Sequence, residues 1–152
     1  MARKRNVDQS ETYWIEVDDV EYHYSLHLHH DPESIQPYTE YCHPKVFGKL
    51  LRPTIKQISR AIITLMADRD MDSLLLPDAK PSYKPRAIGH VETRSGELNG
   101  FVSLPFSALI LLLPALKSGS IREIMMSGDK LRYRHALVKS ISFSRHFDPD
   151  EL

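Results

Sequence analysis

The residues best suited to chemistry are four histidines that fall within ten positions, in the segment 21–30, which reads EYHYSLHLHH. His27 and His29 are two positions apart, and in a β-strand this spacing puts both imidazoles on one face, about 6 to 7 Å apart at Cα. Two imidazoles at that separation can converge on one divalent cation, with metal–nitrogen bonds of about 2.0 to 2.1 Å. Glu33 follows closely enough to supply a carboxylate as a third ligand. The pattern predicts a metal site at His27, His29 and Glu33 that activates water or oxygen.

The string HLHHDPE, residues 27–33, has the spacing His-x-His-x3-Glu and over these seven residues resembles the metal motif of cupins. The resemblance ends there, because Glu21 and Glu40 stand where that family has glycines. The sequence favours a second interpretation over this metal site, in which the histidines are exposed polar side chains on the solvated face of a strand. The chain from 6 to 44 contains nine acidic residues and no Lys or Arg, which makes this face acidic in either interpretation.

A second candidate site is the basic stripe Lys130, Arg132 and Arg134 near the C-terminus. Side chains of this kind bind phosphate groups and nucleic acids. Tyr133, the aromatic residue between them, is predicted to face inward, and this favours a solvated basic face over a base-stacking surface. The net charge of zero also argues against a dedicated nucleic-acid binder.

No phosphate-binding glycine loop, nucleophile elbow, CxxC pair or HExxH helix occurs in the chain. The sequence therefore favours a non-catalytic binding or assembly module, in which an acidic, histidine-rich hairpin and a basic C-terminal strand contact a protein partner or further copies of the chain. Two alternatives stay open, a metal-dependent enzyme with the His-x-His site and a nucleic-acid binder that uses the basic strand.

Composition bounds the compartment and the domain organisation. Cys42 is the single cysteine, which excludes an internal disulfide and fits a reducing compartment, so a cytoplasmic location is predicted. The most apolar run, 104–116, is shorter than the roughly 20 residues of a membrane span. We expect a flexible arm at 1–10, one globular domain at 11–147 and a frayed tail at 148–152.

Three hairpins and one helix are predicted to position these residues. The first hairpin joins 12–17 to 21–29 around Asp18 and Asp19. In its second strand, one face is predicted to pack on the core and the histidine face to meet solvent. The residues of this core face are Tyr22, Tyr24, Leu26 and Leu28.

The rest of the chain predicts a mainly β fold, an antiparallel sandwich or an open barrel. The second hairpin joins 87–93 to 98–104, and the third joins 121–126 to 131–143 around a turn at 127–130. A helix is predicted near 105–117, with Gly119 after its end and Pro114 as a possible kink. Two shorter strands are expected at 38–43 and 46–51, and a long loop at 68–85. The segment 54–66 fits both a helix and a strand; residues 58–66 favour a strand, and a helix at 54–66 would make the fold α+β instead.

Overall fold

The computed structural model describes residues 9–31, 33 and 35–151, so residues 1–8 of the predicted arm and Leu152 lie outside the described residues. The described chain forms nine strands and two α-helices, with a 3-10 helix at Pro149–Glu151. The bounds are β1 Ser10–Glu21, β2 Tyr24–Leu28, β3 Tyr38–Cys42, β4 Lys45–Arg52, β5 Arg60–Asp68, α1 Arg69–Leu74, β6 Gly89–Arg94, β7 Glu97–Pro105, α2 Phe106–Lys117, β8 Glu123–Asp129 and β9 His135–Ser144. The predicted mainly β class is confirmed. The segment 54–66 leads into strand β5, as favoured, and the predicted loop 68–85 contains the short helix α1.

Seven of these strands close into a barrel in the order β1-β4-β5-β7-β6-β9-β8, and β8 pairs back with β1. All neighbouring pairs are antiparallel except β5 and β7, which run parallel. A parallel pair needs a crossover connection, and α1, the segment 75–88 and β6 provide it. The sheet is thus a closed barrel, in which every strand has a partner on both sides.

Side chains fill the barrel interior, because alternate residues of each strand point inward. In β7, for example, Leu98 and Val102 are fully buried while Asn99 and Phe101 lie on the outside. Helix α2 adds Leu109 and Leu116 to the same core. The barrel interior is therefore filled by packed side chains.

The predicted helix and second hairpin are confirmed. Helix α2 runs through Pro114 without ending there, and Gly119 follows it with φ of 76°. The turn between β6 and β7 consists of Ser95 and Gly96, whose φ angles of 52° and 77° are those of a type I′ turn. No helix among the described residues is long and apolar enough to cross a membrane.

The predicted turn of the first hairpin is wrong. β1 continues through Asp18 and Asp19, and its register against β4 shifts between Val17 and Asp19. The aspartates therefore form a bulge, in which the Asp19 carboxylate accepts a hydrogen bond from the Val20 N–H at 2.8 Å. Short acidic side chains suit a bulge as well as a turn, because both use local bonds from side chain to backbone.

The core face predicted for residues 22–28 is also wrong. Tyr24, Leu26 and Leu28 are 54%, 57% and 59% exposed, and Tyr22 is exposed as well. β2 pairs with β3 in a separate two-stranded sheet that lies outside the barrel. Alternation predicted the strand correctly, but it could not reveal that this face stays more than half exposed.

The third hairpin forms between β8 and β9, but its turn lies at Tyr133 and Arg134 instead of 127–130. The predicted turn residues 127–129 belong to β8 instead, and opposite them β9 contains one extra residue, Lys139, between the pairs Ser127–Ser140 and Gly128–Val138.

This bulge also changes which face of β9 meets the core. Ile141 and Phe143 pack against the core as predicted, but Leu137 lies between the buried neighbours Ala136 and Val138 and points outward. Tyr133, predicted to face inward, is 103% exposed at the tip of the hairpin.

Candidate functional site

The ribbon, which we define as β2 and β3, is the outer part of the hairpin that β1 and β4 form in the barrel. Glu21 pairs with Lys45 and Tyr24 with Cys42, so the register is unchanged between the two parts. Pro44 lies in the gap and has no N–H to donate to the ladder. One long hairpin therefore begins in the barrel wall and extends beyond it.

One face of the ribbon is mainly apolar and lies next to the end of β5 and the first residues of α1 and α2. Cross-strand neighbours on this face are Tyr24 with Cys42, Leu26 with Glu40, and Leu28 with Tyr38. All of these residues except Leu28 line a groove of about 540 Å³, together with Ala67, Arg69 and Phe106. We call it the ribbon groove.

A polar network fixes the base of the ribbon groove. The Glu40 carboxylate accepts hydrogen bonds from the Arg69 guanidinium at 2.8 and 3.0 Å and from the Tyr24 hydroxyl at 3.1 Å. The Arg69 guanidinium also lies 3.9 Å from the centroid of the Phe106 ring, a cation–π contact. The network joins β2, β3, α1 and α2.

Charge pairing shifts the pKa values in this network. The hydrogen bond from Arg69 lowers the pKa of Glu40, and the hydrogen bond to Glu40 raises the pKa of Tyr24. Burial, followed by the charge of Glu40, raises the pKa of the Cys42 thiol, so this cysteine is not an activated nucleophile.

Asp72 holds α1 against the start of α2. Its carboxylate accepts hydrogen bonds from the backbone N–H groups of Phe106 at 3.0 Å and Ser107 at 3.3 Å, and from the Ser107 hydroxyl. These bonds satisfy N–H groups that a helix leaves unpaired at its N-terminus. The Ser107 hydroxyl bond is also the main cause of the lowered pKa of Asp72. Asp72 thereby fixes the helix that carries Arg69.

These two lowered pKa values predict an acid sensitivity of the ribbon groove. A carboxylate whose pKa is lower in the folded than in the unfolded chain stabilises the fold above the unfolded value of about 4. That contribution is lost as pH falls through the folded pKa. The double variant Glu40→Gln with Asp72→Asn should therefore lose less stability than the wild type when urea unfolding at pH 6 is compared with pH 3. An equal loss in both proteins would contradict the prediction, and Glu33→Gln, an exposed loop substitution, is the control.

The other face of the ribbon carries the predicted metal ligands. His27 lies edge-on to Tyr41, with ring centroids 6.1 Å apart, and the His29 Nε2 is hydrogen-bonded to the Thr39 hydroxyl. Glu33 lies in the loop beyond the strand, where its backbone N–H donates to Asp31 at 2.9 Å. Within the described chain, no group of three or more His, Cys, Asp or Glu side chains could hold a metal ion. A metal site at His27, His29 and Glu33 stays a prediction.

Lys130, Arg132 and Arg134, the other predicted site residues, lie together at the tip of the β8–β9 hairpin, and all three are exposed. The sequence identified these three residues as a candidate site. It predicted that Tyr133 faces the core, whereas the structure exposes this ring to solvent beside them.

The network of Tyr24, Glu40, Arg69 and Phe106 was missed by sequence reasoning. Its members come from four elements, and Glu40 and Arg69 are 29 residues apart with no recognisable spacing. The only available signal was the apolar face of β2, which was assigned to the core.

Comparison with protein-family models, with curated proteins and with solved structures finds no match for this chain.

Proposed function

We propose that this protein is a non-catalytic binding module that assembles with another protein chain through its ribbon. The observation that carries the proposal is the exposed apolar surface of the ribbon and its loop. Tyr38 is 62% exposed and Ile35 is 99% exposed, in addition to the exposed residues of β2. Contiguous apolar surface of this kind marks protein-interaction sites in soluble proteins.

The construction of the ribbon supports the same function. A two-stranded sheet alone in water is at best marginally stable, and both of its outer edges leave backbone groups unpaired. Within the described chain, β2 and β3 pair only with each other. A partner that adds a strand to an edge would pair these backbone groups, and a partner that covers the apolar face would remove its side chains from water.

A second copy of the chain is the partner that we propose. Two ribbon grooves can pack face to face about a twofold axis, because each contributes the same apolar side chains. The groove bases carry one Arg and one Glu that already neutralise each other, so no like charges are forced together. The single cysteine fits the cytoplasm as the proposed location.

Substitution of Leu26 and Leu28 by Glu is expected to abolish this assembly. Each buried leucine contributes about 1.5 to 3 kcal/mol, so the double variant should raise the dimer Kd more than about 100-fold. Sedimentation velocity over a concentration series, from low micromolar to submillimolar protein, measures the change.

The matched control is Ser25→Glu with His27→Glu, which places the same two charges on the opposite face of the same strand. The control should assemble like the wild type. A wild-type protein that remains monomeric over the whole series would refute self-assembly, and equal weakening by both variants would show that the apolar face is not the contact.

A further inference from the structure

One end of the barrel collects basic side chains from several strands. Strand pairing brings Ser10 next to Asp129 and Arg60 next to Glu97, so the starts of β1, β5, β7 and β9 meet the ends of β4, β6 and β8 there. We call this the basic end. Its exposed basic residues are Arg52, Lys56, Arg60, Arg94, Lys130, Arg132 and Arg134. These residues come from distant parts of the sequence, and neither the net charge of zero nor a local run of basic residues indicates that they lie at the same end of the barrel.

Two of the acidic residues at this end form ion pairs with lysine or arginine. Asp129 forms an ion pair with Lys139 at 2.7 Å, and Glu97 lies 3.8 Å from Arg60. Glu11 and Glu92 are the other carboxylates on the adjoining strands. Within the described part of the chain, Lys130, Arg132 and Arg134 form no ion pair. Their charge is available to a ligand.

The backbone at the hairpin tip is strained in a way that the fold does not require. Tyr133 and Arg134 form the two-residue turn with φ of 50° and 69°, and the Arg132 and His135 backbones exchange hydrogen bonds of 2.9 and 3.0 Å across it. This left-handed conformation favours Asn and Gly at both positions. Tyr133 and Arg134 adopt this conformation at a cost in stability. This indicates that their side chains have a functional role.

Two further features lie beside the tip. A cleft of about 160 Å³ is lined by Lys130, Arg132 and His135, together with Gln9 and Asp129. On the outer wall, the ring of His135 stacks on His90, and His90 stacks on Phe101, each with centroids 5.1 Å apart. The exposed ring of His135 ends this stack next to the cleft.

We propose that the basic end binds single-stranded nucleic acid. Lys130, Arg132 and Arg134 contact phosphates, and unpaired bases stack on Tyr133 and on the exposed end of the His135 stack. Cations interleaved with aromatic rings are the combination that binds single strands, because every base has a face that stacks. A paired duplex would offer the outward-pointing Tyr133 ring no free base face. The ribbon lies at the opposite end of the barrel, so this function is independent of assembly through the ribbon.

The test is fluorescence anisotropy with a labelled oligothymidylate over a salt series. Three phosphate contacts predict that log K falls with log salt with a slope of about −2, since each contact to a single strand contributes about −0.7. Arg132→Glu with Arg134→Glu should weaken binding more than tenfold and reduce the slope by about 1.4, corresponding to two lost contacts.

Stacking is tested separately from charge. Tyr133→Asn keeps a residue suited to the turn and should weaken binding about tenfold with an unchanged salt slope, because one stacked base is lost. Tyr133→Asn with Arg134→Gly should weaken it further, although the turn then has its preferred residues.

Lys45→Glu with Arg145→Glu is the matched control, because it makes the same change in net charge at exposed positions away from the basic end. It should change the affinity less than about threefold.

Equal weakening by this control and by Arg132→Glu with Arg134→Glu would overturn the site. Base stacking would be overturned if Tyr133→Asn bound the oligonucleotide as tightly as the wild type and if heparin or anionic vesicles competed as well as unlabelled oligonucleotide. The basic end would then be a general polyanion-binding surface. A blunt duplex of equal length that binds more tightly than the single strand would also overturn the proposal.

Discussion

Replacement of Gly48 by alanine is expected to lower the free energy of unfolding by about 3 kcal/mol, at the upper end of the usual range for overpacked sites. A Cβ at this position would lie 2.3 Å from the Glu16 carbonyl oxygen and 2.6 Å from the Ile15 Cγ2. The carbonyl belongs to the backbone of β1, so it cannot move aside as a flexible side chain could. Gly48 faces β1 where the register shifts, and the substitution would therefore disturb the hairpin that continues into the ribbon.

Urea unfolding followed by tryptophan fluorescence measures this change, because Trp14 is the single tryptophan and is buried in β1. The control is Gly96→Ala, which has φ of 77° but no atom within 4 Å of the added Cβ. That variant should lose only about 1 kcal/mol, from backbone conformation alone. If Gly48→Ala loses no more than Gly96→Ala, the close approach of the two strands is not the constraint.

The double variant Tyr133→Asn with Arg134→Gly is expected to raise the free energy of unfolding by about 1 to 2 kcal/mol. Both residues have the left-handed conformation, which Asn and Gly adopt with less strain than Tyr and Arg. Neither side chain is buried, so no packing is lost. The same variant should lose affinity for single strands, and a more stable protein that binds less tightly cannot owe the loss to unfolding.

The same urea titration checks the increase. Tyr133→Phe is the control, since it keeps the strained turn and the ring and should leave stability unchanged within about 0.5 kcal/mol. A double variant that is less stable than the wild type would show that Tyr133 or Arg134 supports the fold, and the strain would then lose its functional meaning.

The two proposed surfaces divide the molecule. The ribbon groove lies at the end of the barrel where α2 packs, with exposed Asp18, Asp19 and Glu21 on the adjoining part of β1. The basic end is opposite. A module that assembles at one end and holds an anionic polymer at the other could present several binding tips to one strand, and the gain in overall affinity would follow from effective concentration.

Much of the fold was predictable because it depends on local patterns. The turn at Ser95 and Gly96 followed from a glycine that can adopt positive φ, and α2 followed from apolar residues at helical spacing with Gly119 after its end. The strand at 24–28 followed from alternation alone. In each case neighbouring residues contain the whole signal.

Other features depend on distant residues and could not be predicted in this way. Asp18 and Asp19 have the composition of a turn, but β4 pairs with β1 on both sides of them, so the site is a bulge. Residues 127–130 likewise have the composition of a turn, but the last hairpin continues past them and turns at Tyr133 and Arg134.

The sequence by itself determined a mainly β domain, a helix near 105–117, one cysteine and two groups of candidate residues, the histidines of 23–30 and the basic residues of 130–134. The tertiary structure decided what those groups face. It placed the apolar side of β2 outside the core, exposed Tyr133 to solvent and brought Arg52, Arg60, Arg94 and Arg132 to the same end of the barrel. The reason is physical, because strand periodicity is a local property of the chain, whereas the covering of a face and the charge at a barrel end depend on which strands become neighbours.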